Sequence, residues 1–291
     1  MTPRATVGFV GLGKIGAPMA ANVAAAGFEL VCFDVVGTDG RLPDGAMAAG
    51  SIGELARLAD TVLLSLPDGS ATAAVAGELI AAPDRRVETV IDLSTTGPTA
   101  AREVAARLGD VGIVFCDGPV SGGVAGARAR TISCMFAGPT RTFEAERDLL
   151  GSFAGNVFHV GTEPGQGQMM KLVNNFLSAT ALAATSEAFA AGEAAGLDLA
   201  AMIDVVNVSS GRNTATSDKF PNRVLTGRYD AGFSTAHMTK DVSLFVDAVD
   251  DLGTAGDVIR AVASQWRGAL AAMPASDFTE IWTYVRGSAQ G

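Results

Sequence analysis

The first half of the chain alternates short runs of β-forming residues with alanine-rich stretches of helical pattern, and this alternation restricts the fold more than any other feature. Strands that alternate with helices are joined by right-handed crossovers and form a parallel, doubly wound α/β sheet. The strands are almost continuously apolar, as expected when helices cover both faces. The predicted strands are Ala5–Val10, Glu29–Asp34, Thr61–Leu66, Thr89–Leu93, Gly112–Cys116 and Ile132–Ala137, and helical patterns between them include Lys14–Ala26, Ser70–Ala81 and Pro98–Leu108.

The pattern changes after Val157–Gly161, where Thr162-Glu163-Pro164-Gly165 form a cluster of structure breakers. Beyond this cluster the sequence is helix-like to its end. The first helical segment is predicted to run from about Gln166 to Ala195 and to stop at Gly196. We therefore predict a doubly wound α/β domain over residues 1–162 and an all-helical domain, for substrate binding and oligomerisation, over residues 163–291.

Charge and composition exclude several classes of partner. The net charge of −10 comes without any basic run, whereas nucleic acids and anionic membranes attract rows of cations. Three cysteines without metal-like spacing fit a reducing compartment, and two histidines without an HxxH pair make a metal site improbable. The long uncharged stretch Leu172–Ser186 is too short to span a membrane, and Lys14 interrupts the apolar N-terminal run that a signal peptide would need. We expect a cytoplasmic protein with no nucleic-acid, membrane or metal partner.

A glycine-rich turn lies between the apolar run Thr6–Val10 and a helical pattern. In this context glycines allow a tight turn, and the pyrophosphate of a dinucleotide can approach backbone N–H groups at a helix N-terminus. An ordinary glycine turn is the alternative. The context favours a Rossmann-type site, whose cofactor-binding residues would be Gly11, Leu12, Gly13, Lys14, Ile15 and Gly16.

Asp34 ends the second predicted strand and bears on the choice of dinucleotide. A carboxylate at this point accepts hydrogen bonds from the adenosine ribose of NAD and repels the additional phosphate of NADP. The next residues, Val35-Val36-Gly37, include no arginine that could bind that phosphate. We therefore predict NAD in preference to NADP; the alternative is that Asp34 merely ends a strand.

Two further segments carry candidate substrate chemistry. Asp117–Gly123 follows a predicted strand, and a serine beside two glycines can present successive N–H groups to an anion such as a carboxylate, although a plain surface loop fits equally well. In Gly165–Asn175, Lys171 and Asn175 share a helix face. The apolar neighbours of Lys171 should lower its pKa towards neutrality, as a general base for a hydroxyl requires. Taken alone, a helical lysine is more often a solvated surface group.

Taken together, these segments resemble the β-hydroxyacid dehydrogenase family, whose best-known member is 3-hydroxyisobutyrate dehydrogenase. The resemblance covers almost the whole chain, and its motifs are, in order, Gly11–Gly16, Leu66-Pro67, Ile91–Thr95, Asp117–Gly123, Gly165–Asn175 and Lys240-Asp241. It implies NAD-dependent oxidation of a small 3-hydroxy acid, or reduction of the matching semialdehyde or 3-oxo acid. It also implies a homo-oligomer, either a dimer or a tetramer.

The resemblance also implies roles for single residues. Lys171 would be the catalytic acid/base and Asn175 would orient the substrate. The substrate carboxylate would be held by Ser121, Gly122 and Gly123. The cofactor would further contact Leu66, Pro67, Thr95 and, at its nicotinamide end, Lys240. For Lys240, an ion pair with Asp241 or another acid is the alternative.

The sequence departs from the family at two arginines. Arg130 stands where the family commonly has a glycine, and Arg212 lies in Ser209-Ser210-Gly211-Arg212-Asn213. Either side chain could bind a second anionic group of the substrate in a bidentate manner. A solvated loop charge or a subunit contact is the interpretation we favour. The identity of the hydroxy acid is therefore open.

Two other functions compete with the hydroxyacid dehydrogenase. An imine reductase has a related fold but usually lacks a lysine at the catalytic position. A noncatalytic NAD-binding protein would have no need of an acid/base. Lys171 and the Ser121-Gly122-Gly123 loop argue against the imine reductase, and Lys171, Asn175 and Ser121 argue against the noncatalytic protein.

Overall fold

A computed structural model describes residues 5–254 and 256–288 of the chain. It divides into two compact units, Met1–Lys171 and Leu172–Gly291. The division lies between Lys171 and Leu172, nine residues after the predicted boundary at residue 162, which remains our proposal for where the domains separate.

The first unit is built on one mixed but mainly parallel sheet. Its strands are β1 (Val7–Val10), β2 (Leu30–Phe33), β3 (Met47–Ala48), β4 (Thr61–Leu64), β5 (Thr89–Asp92), β6 (Val114–Asp117), β7 (Val120–Ser121), β8 (Ser133–Ala137) and β9 (Asn156–Gly161). Their order is β3-β2-β1-β4-β5-β6-β8-β7, with β9 beside β8. The neighbours from β3 through β6 are all parallel, so the carboxyl ends of these strands lie at one edge of the sheet.

Helices connect these strands and cover the sheet. They are α1 (Gly16–Ala25), α2 (Ile52–Leu58), α3 (Gly69–Ala81), α4 (Pro98–Gly109), α5 (Gly123–Ala129), α6 (Thr140–Ala145) and α7 (Arg147–Phe153). Alternate residues of the strands belong to two separate apolar clusters, for example Phe9 to one and Val10 to the other. Because side chains alternate along a strand, these clusters lie on opposite faces, as the doubly wound prediction requires.

One strand of this sheet differs from the prediction. The sequence alternation predicted that Ile132–Ala137 would be parallel to its neighbours, but β8 runs antiparallel to both β6 and β7. The short strand β7 occupies the connection from β6 and pairs with β8, so the chain reverses after α5 instead of crossing over. The parallel direction is retained between β8 and β9, which are joined through α6 and α7.

The second unit is helical, as predicted. The long helix α8 (Gln166–Ala194) contains the division between the units and is followed by α9 (Leu199–Asn207), a π-helical segment (Ala215–Val224), α10 (Thr235–Asp251), α11 (Asp257–Ala272), a 3-10 turn (Phe278–Glu280) and α12 (Ile281–Ser288). The core of this unit includes the fully buried side chains of Phe220, Trp266 and Ile281. Among residues 5–254 and 256–288, no helix is both long and apolar enough to cross a membrane.

Candidate active site

The predicted glycine loop joins β1 to α1 at the carboxyl edge of the sheet. Gly11 has a φ of 95°, and its N–H donates to the Phe33 carbonyl oxygen at 2.9 Å, which ties the loop to β2. A Cβ atom at Gly13 would meet no protein atom within 4 Å, so the fold itself does not require glycine there. No side chain caps the start of α1 and its first turn holds no acidic residue. These features suit the close approach of a pyrophosphate to a helix N-terminus.

Asp34 follows β2 and contacts the same loop. Its Oδ2 accepts a hydrogen bond from the Leu12 N–H at 2.7 Å, and its Oδ1 accepts one from the Val36 N–H at 3.0 Å. The structure corrects one premise of the sequence analysis, which found no arginine beside this carboxylate. Arg41 forms an ion pair with Asp34, with Nη1 3.2 Å from Oδ2. Arg41 lies beyond the segment Val35–Gly37, and the loop brings it back to Asp34 across seven residues of sequence.

The other predicted cofactor residues lie on the turns after β4 and β5. The Leu66 N–H donates to Ser94 Oγ at 2.8 Å, which holds the two turns together. Pro67 is exposed beside Leu66, and Thr95 is partly buried in the second turn.

The turn after β5 is bound to the first turn of α8 by Gln168, a residue to which the sequence analysis gave no role. Gln168 is fully buried, and its Oε1 accepts hydrogen bonds from the N–H groups of Thr96 at 2.9 Å and Gly97 at 3.2 Å. Its Nε2 donates to the Ser94 carbonyl oxygen at 2.9 Å. The side-chain amide thus uses both its ends to fix the turn that contains Thr95.

Asp117 fixes the start of α8 from the end of β6. Its Oδ1 accepts a hydrogen bond from the Gly165 N–H and its Oδ2 one from the Gln168 N–H, both at 2.7 Å. A Cβ atom at Gly167 would lie 2.8 Å from Asp117 Oδ2, so this close approach requires glycine. Lys171 is one turn further along α8, and its position therefore depends on the contact with Asp117.

Two buried carboxylates stand side by side at this edge. Asp92 and Asp117 are paired across β5 and β6, and both are fully buried. Burial raises the pKa of Asp117 to about 6, and the neighbouring charge of Asp92 acts in the same direction, against the hydrogen bonds from Gly165 and Gln168. Burial also raises the pKa of Asp92, whose Oδ1 accepts the Ser94 N–H at 2.9 Å. Both carboxylates hold backbone turns in place.

The predicted substrate loop consists of β7 and the start of α5. Ser121 pairs with Ser133 of β8, so its position is set by the sheet. Gly122 and Gly123 are exposed and have φ values of 133° and 65°, which other residues rarely adopt. Since α5 begins at Gly123, the N–H groups of its first turn are not used within the helix, and they provide donors for an anion.

The remaining predicted residues belong to the helices. Lys171 is only 8% exposed and Asn175 only 6%, and the two lie one turn apart on α8, so neither is a solvated surface group. The Asn175 Nδ2 donates to Asp241 Oδ2 at 2.6 Å. The Lys240 Nζ lies 3.2 Å from Asp241 Oδ1, which is the ion pair considered as the alternative for this lysine. Asp241 therefore contacts two predicted site residues.

The two arginines at which the sequence departs from the family are both exposed. Arg130 has a left-handed backbone, with a φ of 57°, and its Nη2 donates to the Gly151 carbonyl oxygen at 3.3 Å. Arg212 lies in a turn, where its N–H donates to the Ser209 carbonyl oxygen. The favoured interpretation, a solvated loop charge or a subunit contact, stays a prediction for both arginines.

The comparisons with known proteins concern both units. Residues 6–161 match the NAD-binding domain of 6-phosphogluconate dehydrogenase, and residues 165–285 match a domain described as the NAD-binding domain of NADP-dependent 3-hydroxyisobutyrate dehydrogenase. A 3-hydroxyisobutyrate dehydrogenase of Pseudomonas aeruginosa is 34% identical over 294 residues, covering 97% of this chain and 98% of the relative. An NAD-dependent L-serine dehydrogenase of the same species is 36% identical over 252 residues, covering 83% and 84%.

Among solved structures, the 3-hydroxyisobutyrate dehydrogenase of Mycobacterium tuberculosis, determined with L-serine, is similar to this chain with a TM-score of 0.91 and 33% identity. The similarity covers 97% of this chain and 99% of that structure. The fold, the glycine loop and these relatives define a nicotinamide-dependent hydroxyacid dehydrogenase. Within this class, the chain belongs to the β-hydroxyacid dehydrogenase family.

Imine reductases share the fold at a greater distance. The enzyme of Streptomyces aurantiacus is 24% identical, with a TM-score of 0.64 over 95% or more of both chains. This degree of similarity concerns the fold alone.

Proposed function

We propose that this protein oxidises a small 3-hydroxy acid with NAD, or reduces the matching semialdehyde or 3-oxo acid, and that Lys171 is its general acid/base. The observation that carries the proposal is the burial of Lys171, 8% exposed, one turn after Gln168 on α8. The first turn of α8 is bonded to the predicted cofactor turn by Gln168 and to the end of β6 by Asp117. A buried lysine anchored in this way suits a proton-transfer role, whereas a noncatalytic binding protein would have no need of it.

The dinucleotide would be held at the carboxyl edge of the sheet. Gly11–Gly16 and the N-terminus of α1 would bind the pyrophosphate, and Leu66, Pro67 and Thr95 would line the path towards the nicotinamide. Lys240 would contact the nicotinamide end. Asp34 supports a preference for NAD over NADP, because a carboxylate accepts hydrogen bonds from ribose hydroxyls and repels a phosphate.

The substrate carboxylate would bind at Ser121, Gly122 and Gly123, where the N–H groups at the start of α5 provide donors. Asn175 would donate or accept a hydrogen bond at the reacting end of the substrate. Its amide is fixed by the bond to Asp241 and by a second bond, in which Asn174 Nδ2 donates to Asn175 Oδ1 at 3.0 Å.

In the direction of oxidation, the neutral amine of Lys171 takes the proton of the substrate hydroxyl as the C–H bond at the same carbon breaks. A nicotinamide bound beside that carbon would supply the acceptor for the hydride. In the reverse direction, protonated Lys171 donates its proton to the oxygen of the carbonyl as it becomes an alcohol. The protein contributes orientation and proton transfer.

The names of the relatives support the substrate class. 3-Hydroxyisobutyrate and L-serine are both carboxylic acids with a hydroxyl group on the third carbon and a substituent on the second. A carboxylate loop and a hydroxyl-directed lysine would recognise the features that these molecules share. We therefore propose a small 3-hydroxy acid of this type as the substrate, and a homo-oligomer as the assembly.

The test is the formation of NADH or NADPH by the purified full-length protein with a panel of acids. The panel contains 3-hydroxyisobutyrate, L-serine and 3-hydroxypropionate, with the 2-hydroxy acid lactate as the matched control. We expect oxidation of at least one 3-hydroxy acid, no oxidation of lactate, and a higher kcat/KM with NAD than with NADP. Failure with every 3-hydroxy acid in both directions would overturn the proposal, as would faster reduction of a cyclic imine.

A further inference from the structure

The carboxylate of Asp34 is surrounded by four hydrogen-bond donors. Oδ2 accepts the Leu12 N–H at 2.7 Å and Arg41 Nη1 at 3.2 Å, and Oδ1 accepts the Val36 N–H at 3.0 Å and Arg41 Nη2 at 3.4 Å. An ionised carboxylate offers about four lone-pair sites. All four are therefore in use, and a ribose hydroxyl can donate to Asp34 only if one of the present donors moves away.

Arg41 is the donor that can leave. The N–H groups of Leu12 and Val36 belong to backbone that is held by the glycine loop and by the turn after β2. The bonds from Arg41 are the longest of the four, near the limit for an N–H···O hydrogen bond. The Arg41 side chain is also 31% exposed, so water can replace its contacts with Asp34.

Two carbonyl groups keep the guanidinium near Asp34. Arg41 Nη1 donates to the Leu12 carbonyl oxygen at 3.3 Å, and Nη2 donates to the Gly37 carbonyl oxygen. The guanidinium thus bridges the glycine loop and the turn after β2. When it leaves Asp34, it remains in the region where the adenosine ribose would lie.

We propose that Arg41 determines how strictly this enzyme discriminates between NAD and NADP. Its guanidinium exchanges its bond to Asp34 for a bond to the 2′-phosphate, and so makes NADP a usable cofactor where Asp34 alone would repel it. The inference rests on the proposed binding of the adenosine ribose at Asp34. A guanidinium suits this role because its planar donors match a phosphate in a bidentate manner and because it is always charged.

The same exchange affects NAD in the opposite direction. The ribose of NAD displaces Arg41 from Asp34 without offering a new anionic partner, so the lost ion pair opposes binding. Without Arg41, the two lone-pair sites of Asp34 that it occupies would be open to the ribose hydroxyls. The carboxylate would then face the 2′-phosphate of NADP without a compensating charge.

The test measures the Kd of NAD and of NADP by calorimetry on the full-length protein without any hydroxy acid. The variants are Arg41→Met, Arg41→Lys and, as the matched control, Arg86→Met, which removes an arginine from another ion pair, with Asp60 at 2.8 Å. Arg41→Met should weaken NADP at least about tenfold, the loss of a charge-assisted contact, while NAD binds as tightly or more tightly. Arg41→Lys should weaken NADP by a smaller factor, and Arg86→Met should leave the ratio of the two Kd values unchanged.

Three results would overturn the inference: an unchanged Kd for NADP in Arg41→Met, an equal weakening of both dinucleotides, or a shift of the ratio in the Arg86 control. If Arg41→Met does not fold, Arg41→Lys serves as the test, and a ratio of the NADP Kd to the NAD Kd that is unchanged from the wild type would overturn the inference. The wild-type protein provides a test that needs no variant: if Arg41 accepts the phosphate, adenosine 2′,5′-bisphosphate should bind less tightly than 5′-AMP by no more than about tenfold. Much weaker binding of the bisphosphate would refute the role of Arg41. Because these binding measurements use no hydroxy acid, their result does not depend on whether the protein has the proposed dehydrogenase activity.

Discussion

The carboxylate of Asp117 accepts a hydrogen bond from the backbone N–H of Gln168 at 2.7 Å, and so joins the end of β6 to the first turn of α8. The same carboxylate accepts the Gly165 N–H with its other oxygen. Lys171 follows three residues after Gln168. A carboxylate outside the helix therefore sets the position of the proposed acid/base, and its state of ionisation matters for the fold.

Asp117 should make the stability of the protein depend on pH. Burial raises its pKa to about 6 from the ordinary value of 3.8, so the folded protein holds a proton that the unfolded chain has already released. This contribution to the free energy of unfolding is fully present below pH 3.8 and is lost as the pH rises through about 6. For a shift of this size it amounts to about 3 kcal/mol.

The variant Asp117→Asn removes this titration. Between pH 4 and pH 7, the wild type should lose about 2–3 kcal/mol of its free energy of unfolding through Asp117, and the variant should not. Urea denaturation at the two pH values measures this shift of the difference towards the variant. A buried acid that does not interact with Asp117, such as Glu146, titrates in both proteins and cancels in the comparison. A constant difference across this pH range would contradict the assignment. The variant should also lose kcat, because an amide cannot accept both N–H groups.

Gln168 should stabilise the fold and cofactor binding together. In Gln168→Met, the N–H groups of Thr96 and Gly97 and the Ser94 carbonyl lose a buried partner, and each unsatisfied group costs about 1–3 kcal/mol. We expect a lower free energy of unfolding and a higher KM for NAD. The matched control is Gln265→Met, which breaks one exposed bond to Glu187 and should change the free energy of unfolding by less than about 0.5 kcal/mol. Equal effects of the two substitutions would rule out the role of Gln168.

Periodicity and turn chemistry predicted most of the first unit. The strand predicted at Thr89–Leu93 is observed as Thr89–Asp92, and the helix predicted from about Gln166 to Ala195 as Gln166–Ala194. The short elements β3 and β7 were missed, because two residues are too few to show an alternating pattern. The direction of β8 was wrong, because alternation of strands and helices does not reveal where the chain reverses.

The candidate site was predicted through motifs, but the contacts that hold it were not. Asp117 was part of a quoted motif without a role, and its bond to Gly165 spans 48 residues of sequence. Its place at the end of a strand was the available signal, since carboxyl ends of parallel strands meet at one edge. Arg41 was missed because an irregular loop has no period that indicates which of its side chains folds back towards Asp34. Asp241 was quoted as part of the Lys240-Asp241 motif and as a possible ion-pair partner of Lys240, but its bond to Asn175 depends on tertiary packing and was not predicted.

Substitution of Ser121 should weaken the binding of the substrate and leave the binding of the cofactor little changed. Ser121→Ala removes a hydroxyl donor from the proposed carboxylate loop while β7 keeps its pairing with β8. We expect the KM for the 3-hydroxy acid to rise by an amount equivalent to about 0.5–3 kcal/mol, with the Kd of NAD little changed. Ser209→Ala, in which an exposed hydroxyl bonded to the Val205 carbonyl is lost, is the matched control. A wild-type KM on a good substrate would count against the carboxylate loop.

Lys171→Met is the decisive substitution for the enzyme proposal. Methionine matches the length and the apolar stem of lysine, so it fills the buried site without a proton-transfer group. General acid/base catalysis contributes about 10²–10⁴-fold, and since Lys171 would also orient the hydroxyl, kcat should fall by an amount near the upper end of that range. In the wild type, kcat/KM for oxidation should rise with pH as the amine loses its proton and then level off, and this rise should be absent from the residual activity of the variant.

Two measurements distinguish the loss of the acid/base in Lys171→Met from a loss of folding. The Kd of NAD should be retained in Lys171→Met, because the glycine loop lies elsewhere in the chain, and urea denaturation should show that the variant is folded. Lys219→Met removes a lysine whose Nζ is paired with Asp218 at 2.8 Å, and it should leave kcat unchanged. If Lys171→Met folds, binds NAD and keeps more than about a tenth of the wild-type kcat, Lys171 is not the acid/base, because so small an effect lies below the range for this kind of catalysis.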